Sequence, residues 1–533
     1  MQRTLFIGLD GCTFTILDPL MKDGVMPFLR DYVAGGVRAE LLSTPNPLTP
    51  PAWTSLVTGR TPGHHGIFDF IRAEEGPQGL YFTLNTSDDI RCETIWSMIN
   101  RHHGTVTSLN FPVSSPPPPV NGYLIPGFVP WKHLRRSVHP PEFYEVLKGL
   151  PGFDAKALAM DMNDELKSIQ WLPQEEYEAW ITHHIQRERQ WFTIARHLLE
   201  TRPTDFVAVL FDGVDKLQHL CWRYMDPHLF PDHPTPFESK VRDLCLGYFR
   251  RLDGLIRDLI TLAGPDTRVY FASDHGFGAT HEVFYANVWL RQEGYLAWAE
   301  ESSKDDLGRM AADKIKSHVV GIDWSKTLAY ALTPSSNGIF IRREDGSGRP
   351  GVRPGDYQAF RSQLADKLLA LRHPETGARI IRKVMTREEA FPGSASHQAP
   401  DLTLVLEDYG FLSVLNADAP VKPRPEPAGT HRPQGIFLAG GPGIAKGRML
   451  EPLSIIDVAP TLLHSLGLPI PSDLEGRVAD RCFDEAFLLA QPVVTGEPTR
   501  LIDGQWAREP EQALQSDANE KVMASLKALG YME

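Results

Sequence analysis

Short apolar runs recur along the chain and alternate with longer stretches of helical periodicity. Buried strands are predicted at Thr4–Leu9 and at residues 37–43, 105–110, 205–212, 268–273 and 435–439. Apolar residues three and four positions apart predict amphipathic helices, longest over residues 175–200 and 239–262, with others at 16–34, 93–100 and 455–466. Continuously apolar strands that alternate with helices are typical of a mostly parallel sheet covered on both faces. The pattern therefore predicts an α/β fold.

Two regions interrupt this regular alternation, and we interpret both as insertions that form a cap. The first spans about residues 113–172 and begins with the proline run SSPPPP. The second spans about residues 280–430; within it we predict strands at Gly338–Ile341 and Leu402–Leu406, a helix at 356–371 and a proline-rich approach at 419–427. We therefore predict that residues 1–480 form one core with its insertions and that residues 481–533 form a C-terminal extension with a short helix at 520–529.

Composition narrows the possible partners and the compartment. The formal net charge of the 533-residue chain is −13, which argues against binding to duplex nucleic acid. The five cysteines are widely spaced and form no Cys-x-x-Cys pair, as expected in a reducing compartment. No apolar run approaches the ~18 residues that a membrane span requires. We therefore expect a cytoplasmic protein without a membrane span, and its oligomeric state stays open.

A hydroxyl residue, Thr49, stands directly before two prolines in the stretch NPLTPPAWTSLVTGRTPGHHGI. The prolines prevent a strand from continuing, and the run at residues 53–58, ended by Gly59, predicts a short helix. A hydroxyl at a strand-to-helix turn is exposed and lies near amides that favour an anion, as an activated nucleophile requires. Alone, however, such a sequence is most often only a turn.

Acidic residues and histidines follow several of the predicted strands. In an open α/β sheet the carboxyl ends of the strands line one crevice, so these distant residues are expected to converge. Three carboxylates and three imidazoles suit two divalent cations of the zinc or manganese kind. Each piece also has an ordinary interpretation as a turn or a solvated helix face, and only their conjunction favours a metal site. The candidates are Asp10, the i, i+4 pair Asp215 and His219, the adjacent Asp274 and His275, and His431 in a glycine-rich loop.

The order of the motifs resembles the alkaline phosphatase superfamily. An early Asp-Gly is followed by Thr-x-Pro-x-Trp-Thr-Ser-x-x-Thr-Gly-x-x-Pro-x-x-His-Gly-Ile, then by Asp-x-x-x-His, Ser-Asp-His-Gly and Gly-Thr-His-Arg-Pro-x-Gly. The chain is most similar to the type I phosphodiesterase/nucleotide pyrophosphatase branch, and within it to bacterial predicted phosphohydrolases or phosphomutases. The motifs extend from Asp10 to about residue 476, so the resemblance covers nearly the whole chain.

This resemblance implies a three-layer α/β/α sandwich with a mostly parallel sheet and two metal sites. One site corresponds to Asp10, Asp274, His275 and the hydroxyl of Thr49, and the other to Asp215, His219 and His431. Thr49 corresponds to the nucleophile. Asp212 is a rival ligand, but Asp215 has the family's i+4 relation to His219. The cofactors implied are two divalent ions, zinc in the first place and manganese as the alternative.

One position departs from the family pattern. Nucleotide pyrophosphatases have a phosphate-binding asparagine shortly after the His-Gly-Ile turn, and Phe70 stands at that position here. Phosphate donors are instead expected from Arg60, Arg432 or the turn at Thr49, although each arginine also fits a structural role. The expected substrate is a small-molecule phosphate ester, whose identity the motifs do not specify.

The leading hypothesis is a metal-dependent phosphoric ester hydrolase, a phosphodiesterase rather than a monoesterase, that acts through a phospho-threonine. A phosphomutase of the same superfamily is the nearest alternative and needs a water-excluding basic lid, of which the sequence shows no dense cluster. A sulfatase is disfavoured because no Cys/Ser-x-Pro-x-Arg pattern surrounds Thr49. A non-catalytic metal-bound binding protein is the alternative of a different class, and it has no need of the nucleophile.

Overall fold

A computed structural model describes residues 3–76, 79–158, 172–299, 321–344 and 350–500. Its centre is a nine-stranded sheet, counted among these residues. The strands of this sheet are β1 (Thr4–Leu9), β2 (Val37–Leu42), β5 (Val106–Leu109), β6 (Gly122–Ile125), β7 (Phe206–Phe211), β8 (Arg268–Ala272), β15 (Gln434–Gly440), β16 (Arg448–Met449) and β17 (Leu453–Ser454). The strand order is β16-β2-β15-β8-β1-β7-β5-β6, with β17 also paired to β2, and β15 runs antiparallel to both of its neighbours.

Helices cover both faces of this sheet, so the predicted three-layer α/β/α sandwich is confirmed. Alternate residues of each central strand enter two separate hydrophobic cores: Ile7 and Val209 lie in one, Phe6 and Leu210 in the other. The first core is closed mainly by α1 (Phe14–Lys22), α2 (Pro27–Gly35), α9 (Tyr177–Thr201), α10 (Gly213–Met225) and α11 (Pro236–Ala263). The second is closed by α3 (Thr49–Thr58), α5 (Ile95–Asn100) and α15 (Val458–Ser465).

The remaining elements lie around this sandwich. The remaining α-helices are α4 (Pro62–His65), α6 (Trp131–Leu134), α7 (Phe143–Lys148), α8 (Ala155–Leu158), α12 (Ala286–Gln292), α13 (Tyr357–Ala370), α14 (Arg387–Ala390) and α16 (Glu485–Ala490). The other strands are β3 (Ile71–Gly76), β4 (Gly79–Leu84), β9 (Gly276–Phe284), β10 (Ala329–Tyr330), β11 (Gly338–Ile341), β12 (Ile381–Thr386), β13 (Leu402–Leu406), β14 (Val421–Arg432), β18 (Ile470–Pro471) and β19 (Thr495–Gly496).

The second predicted insertion contains a unit with its own hydrophobic core. Strands β10, β11, β13 and β12 form an antiparallel sheet in that order, and helix α13 packs on β12. The predicted strands at Gly338–Ile341 and Leu402–Leu406 and the predicted helix at 356–371 are therefore confirmed.

One predicted helix is two helices in the structure. The helix expected over residues 16–34 is divided into α1 and α2. Gly24 adopts a φ of 71°, a left-handed conformation that ends a helix, and Pro27 occupies the first turn of the next one. Apolar periodicity continues across the break because both helices pack on the same face of the sheet.

Two regions that were expected to be irregular contain strands that the sequence did not predict. Strand β6 lies within the first predicted insertion, yet it pairs in parallel with β5 as the edge strand of the central sheet. The proline-rich approach and the glycine-rich loop before β15 are one long strand, β14, which pairs with β9. Prolines argue against a strand in the sequence because they cannot donate the hydrogen bonds of a sheet. Here the register shifts between Pro423 and Ala428, after which regular pairing resumes.

No helix among the described residues combines the length and the apolarity that a membrane span needs. The predicted helix at residues 520–529 and most of the C-terminal extension lie outside the described residues. The division of the chain into core, insertions and extension therefore stays a prediction.

Candidate metal centre

Three strand ends meet at one edge of the central sheet. Asp10 directly follows β1, and Asp274 lies two residues beyond the end of β8. Asp215 lies in the first turn of α10, which follows β7. Because β1 pairs in parallel with both β7 and β8, the three carboxyl ends are adjacent and the three aspartates converge.

Pairing of β14 with β9 brings in the last histidine. His431 on β14 lies opposite Phe277 on β9, which follows His275 by two residues. The rings of His431 and His275 stack with centroids 3.6 Å apart. A strand pairing that spans more than 150 residues of sequence thus completes the cluster.

The first predicted ligand group is assembled as expected. Asp10, Asp274 and His275 offer ligand atoms that all lie within 4.8 Å of one another, and all three residues are buried. Nε2 of His275 lies 3.2 Å from Oδ2 of Asp274 and 3.6 Å from Oδ1 of Asp10. The hydroxyl oxygen of Thr49 lies 3.4 Å from the same Nε2. The structure therefore places the predicted nucleophile at this group.

The second group adjoins the first. Oδ1 of Asp215 lies 3.6 Å from Nε2 of His219 and 3.3 Å from Nε2 of His431, and these two nitrogens are 3.0 Å apart. Nε2 of His275 is 3.9 Å from the same oxygen. Asp215, His275 and His431 also form a cluster of metal-ligand spacing, so His275 lies where the two groups meet.

The residues present fit divalent cations. Oδ1 of Asp10, Oδ1 of Asp215 and Oδ2 of Asp274 are buried and have no hydrogen-bond donor. Buried carboxylate oxygens are rarely left without a partner, because each such group loses its hydration without compensation. Carboxylates together with imidazoles are the donor set that zinc and manganese accept. Cations held at this centre would satisfy all three oxygens at once.

The pKa shifts of the clustered residues also favour bound cations. Burial, followed by repulsion between neighbouring carboxylates, raises the pKa values of Asp10 and Asp274 well above their usual range. Burial opposes ionisation of Asp215 as well, but the nearby His219 and His431 outweigh it and lower its pKa. Burial lowers the pKa of His219 to about 4 and that of His275 further, so these rings are neutral, as metal binding requires.

The ligand carboxylates are oriented by hydrogen bonds to their other oxygens. The indole Nε1 of Trp53, one turn after Thr49, donates to Oδ2 of Asp10 over 3.2 Å. The backbone N–H of Gly11 donates to Oδ1 of Asp274 over 3.1 Å. Each of these aspartates therefore directs its remaining oxygen into the centre, which is how outer contacts orient metal ligands.

Two histidine rings are fixed in one tautomer by main-chain carbonyls. Nδ1 of His275 lies 3.1 Å from the carbonyl of Gly276, and Nδ1 of His431 lies 2.8 Å from that of Pro47. Because a carbonyl oxygen only accepts, Nδ1 carries the proton and donates in both rings. The Nε2 atoms that face the clusters are then left with the lone pair that binds a metal.

Gly11 meets a steric requirement of the centre. Its φ is 65°, and a Cβ atom there would lie 3.1 Å from both Oδ1 of Asp215 and the ring of Phe277. The chain must turn sharply after Asp10 to keep the carboxylate at the strand end, and glycine adopts this left-handed conformation without strain. This accounts for the Asp-Gly motif at the end of β1.

Helix α3 presents Thr49 at its first turn rather than before it. The sequence suggested a helix from residue 53, but Thr49, Pro50 and Pro51 are already helical. Prolines are compatible with a first turn, where the missing N–H groups have no intrahelical partner. The hydroxyl of Thr49 is therefore held by a helix, and not by a mobile turn.

A buried polar network holds the start of α10, which carries Asp215 and His219. Oε1 of Glu188 accepts hydrogen bonds from the Gly213 N–H over 2.7 Å and from the Tyr248 hydroxyl over 2.9 Å. Asp212, the rival ligand, accepts from Asn110 Nδ2 over 3.1 Å and lies 3.3 Å from an Arg187 nitrogen. The structure thus places Asp212 in an ion pair behind the centre and Asp215 within it.

We predict a pH-dependent stability effect from this network. Burial, followed by the charge of Asp212, raises the pKa of Glu188 to about 8 from an ordinary value of 4.5. A raised carboxyl pKa contributes stability that is complete below pH 4.5 and is lost as the pH rises through 8. Glu188→Gln mimics the protonated form and does not titrate. The difference in free energy of unfolding, variant minus wild type, should therefore increase by up to about 1.4 kcal/mol per pH unit across this interval.

Urea unfolding at pH 5, 6.5 and 8 measures this difference. Glu178→Gln is the matched control, because Glu178 lies on the same helix with its side chain 58% exposed. The control should differ from wild type by a small amount that does not vary with pH. A pH-independent difference for Glu188→Gln as well would contradict the prediction.

The three predicted substrate-binding residues are not brought into the cluster. Arg60 donates to the Asp473 carboxylate over 2.9 Å, with its Nε 3.4 Å from Glu475. The guanidinium of Arg432 donates to two main-chain carbonyls, those of Asp408 and Ala279. Phe70 packs against the hydrophobic core of the second insertion. Their role in substrate binding stays a prediction, and these contacts give both arginines structural partners.

Sequence reasoning missed two residues at the centre. Trp53 belongs to the motif that begins at Thr49. Its position one helical turn after Thr49 could have indicated that the indole lies at the centre. Lys216 follows Asp215 directly, and its ammonium lies 3.7 Å from Oδ2 of that aspartate. A lysine on an exposed helix face gives the same sequence pattern, so only the fold revealed its position.

The fold, the site and a family match together define an enzyme of the phosphoric ester hydrolase class. Residues 4–434 match the family model described as type I phosphodiesterase / nucleotide pyrophosphatase, and the protein belongs to this family. The resemblance of the motifs to this branch of the alkaline phosphatase superfamily is thereby confirmed. No curated protein sequence matches the chain significantly.

Several solved structures are similar to the chain at low sequence identity. Murine ectonucleotide pyrophosphatase / phosphodiesterase 5 is 16% identical with a TM-score of 0.48, over 88% of this chain and 95% of that one. The human protein of the same name is 15% identical with a TM-score of 0.48, over 92% and 99%. Phosphonoacetate hydrolase from Sinorhizobium meliloti 1021 is 17% identical with a TM-score of 0.49, over 86% and 94%.

Proposed function

We propose that the protein hydrolyses small-molecule phosphoric esters, diesters in preference to monoesters, through a covalent phosphate on Thr49. The observation that carries this proposal is the position of the Thr49 hydroxyl, 3.4 Å from a nitrogen that belongs to two adjoining clusters of buried ligand atoms. The hydroxyl therefore lies beside the same imidazole that adjoins the donor-free carboxylate oxygens of Asp10, Asp215 and Asp274. Membership in the type I phosphodiesterase family supports the choice of diesters.

The ligand roles follow from the two groups. Asp10, Asp274, His275 and the Thr49 oxygen would hold one divalent ion. The other would be held by Asp215, His219 and His431. When bound, the ions supply the positive charge that makes the Thr49 hydroxyl nucleophilic and compensates charge on the phosphoryl oxygens and the leaving oxygen. We propose zinc, with manganese as the alternative, because mixed carboxylate and imidazole sites accept both.

The reaction uses Thr49 twice. Its oxygen attacks phosphorus, the bond to the leaving oxygen breaks, and the departing alcohol takes up the proton that the hydroxyl loses. Water then attacks the phosphorylated threonine, the bond between phosphorus and Oγ1 breaks, and the hydroxyl is restored. Helix α3 keeps Oγ1 in place throughout both steps, because Thr49 is one of its helical residues.

The state of the cysteines supports a cytoplasmic location, which we include in the proposal. All five are unpaired and buried. Burial raises the pKa values of Cys92 and Cys482 to about 11 and 12, so neither forms a reactive thiolate near neutral pH. Thiols that remain unpaired are expected in a reducing compartment.

An assay of the purified chain on an aryl phosphate monoester and the matching diester tests the function. Each is measured with zinc, with manganese and after chelation. We expect turnover of both esters with added metal, a higher kcat/KM for the diester and none after chelation. Turnover confined to the monoester would overturn the preference, and phosphate return to an added alcohol or sugar instead of water would favour a mutase. Absence of turnover with either metal would overturn the hydrolase proposal.

A further inference from the structure

The surroundings of Thr49 offer few donors to a phosphoryl group. Pro50 and Pro51 occupy the first turn of α3, so two amides that usually bind anions at a helix start carry no hydrogen. Phe70 stands where the motif resemblance leads one to expect a side-chain donor, and its ring packs against the core of the second insertion. A phosphoryl oxygen that is not bound to a metal ion needs a charged hydrogen-bond donor instead.

Lys216 is a positively charged group beside both ligand groups. Its ammonium lies 3.7 Å from Oδ2 of Asp215, and its side chain is only 10% exposed. Its charge also acts on Asp10, across the centre. Arg60 and Arg432, by contrast, are directed to the contacts described above. Among the described residues, Lys216 is the lysine or arginine with an ion-pair distance to a ligand carboxylate.

The protein holds this ammonium on rigid support. The nitrogen lies 5.4 Å from the ring centroid of Phe128, in cation–π range. Phe128 adopts a φ of 56°, which costs energy for a residue with a side chain, and such strain concentrates at functional sites. Helix α10 is fixed from the other side by Glu188 through the N–H of Gly213. A surface lysine needs none of this support.

A role as the counter-ion of Asp215 explains the arrangement only when no metal is bound. With a divalent ion held by Asp215, His219 and His431, that ion compensates the charge of the carboxylate. An ammonium next to a bound dication is repelled by it and lowers metal affinity. The arrangement becomes favourable when an anion lies between the two positive charges, and a phosphoryl oxygen is such an anion.

Charge also discriminates between substrates. Three carboxylates offset three of the four positive charges that two divalent ions bring. The two ions and three carboxylates therefore carry a net charge of +1, and the ammonium of Lys216 raises it to +2 while Thr49 is still protonated. A phosphate monoester carries up to two negative charges near neutral pH and a diester carries one, so the additional positive charge stabilises the monoester more.

We propose that Lys216 binds a non-bridging oxygen of the phosphoryl group and selectively favours esters with a dianionic phosphate. The proposal rests on the proposed function of the same site. It makes Lys216 a donor to the phosphoryl group and the residue that sustains monoester turnover beside the preferred diester turnover, so that Lys216 affects the ratio between the two. Lys216 forms and breaks no covalent bond in either step.

The decisive variant is Lys216→Met, which keeps the length of the side chain and removes the charge. Metal-loaded variant and wild type are compared on the same pair of aryl phosphate esters. Removal of one preorganised donor lowers kcat by about 10²–10³-fold, and we expect a loss of kcat/KM of this size for the monoester. The loss of kcat/KM for the diester should be smaller by a factor of about ten or more, since the diester carries one negative charge fewer.

Two measurements separate this role from a structural one. Metal content should stay at the wild-type level, and calorimetric titration with inorganic phosphate should show binding weakened by about tenfold or more. Lys216→Arg, which retains a positive charge, should preserve most of the monoester-to-diester ratio even if it loses rate. Lys240→Met is the matched control, because Lys240 is paired with Glu178 and its side chain is 59% exposed.

Each result has one meaning. Equal loss on both esters with unchanged phosphate binding overturns the assignment to Lys216 and leaves the hydrolase proposal intact. Loss of metal in Lys216→Met shows a structural role and also overturns it. Wild-type protein that turns over neither ester contradicts the proposed function itself, whereas phosphate binding still tests Lys216 in that case.

Discussion

Thr49→Ala is expected to abolish hydrolysis while the protein keeps its metal. The substitution removes the oxygen that attacks phosphorus, and loss of a covalent nucleophile costs about 10⁴-fold or more in kcat. Metal should remain because the first group still offers Asp10, Asp274 and His275. Steady-state turnover of the aryl esters and the metal content of the dialysed protein are the two measurements.

Two further variants make this result specific. Thr49→Ser retains a hydroxyl at the same place and should restore part of the turnover. Thr58→Ala removes a hydroxyl at the other end of the same helix, where it donates to the Thr54 carbonyl over 2.7 Å, and should leave kcat unchanged. Acid-quenched wild type should carry phosphate on Thr49. Near wild-type turnover by Thr49→Ala would falsify the covalent mechanism.

Substitution of one ligand in each group should remove one metal ion from each protein chain. Asp274→Asn affects the first group, and its remaining oxygen still accepts from the Gly11 N–H. His219→Ala affects the second group and leaves Asp215 and His431 in place. Because the groups use largely separate residues, each variant should lose about half of the metal that wild type binds. Elemental analysis after dialysis against a buffered zinc solution measures the stoichiometry.

A matched control and a thermal measurement strengthen this test. His464→Ala removes a buried histidine of α15, remote in sequence from every candidate ligand, and should leave the metal content unchanged. Without metal, Asp274→Asn should unfold at a higher temperature than wild type, because it removes one of the carboxylates that repel each other. With metal the order should reverse, since wild type binds the ions more tightly. Unchanged stoichiometry in both ligand variants would rule out the assignment.

The central strands were predictable because burial on both faces leaves a local signature. Thr4–Leu9 and Phe206–Phe211 are apolar at nearly every position, and such runs are recognisable without any knowledge of their neighbours. The edge strand β6 and the proline-rich β14 were not recognised. Both are defined by their pairing partners rather than by their own composition, and pairing between distant segments leaves no local pattern.

The sequence by itself determined which residue types stand at the strand ends, and the tertiary structure decided which of them meet. The i+4 relation to His219 favoured Asp215 over Asp212, but only the tertiary structure shows what Asp212 does, which is to pair with Arg187 and accept a hydrogen bond from Asn110. A charged side chain has the same sequence signature whether it pairs with another residue or faces a substrate. Arg60, a predicted substrate-binding residue, pairs with Asp473, and Lys216 lies 3.7 Å from a carboxylate oxygen of Asp215. Contacts between residues, rather than local propensity, decide where each charge is compensated.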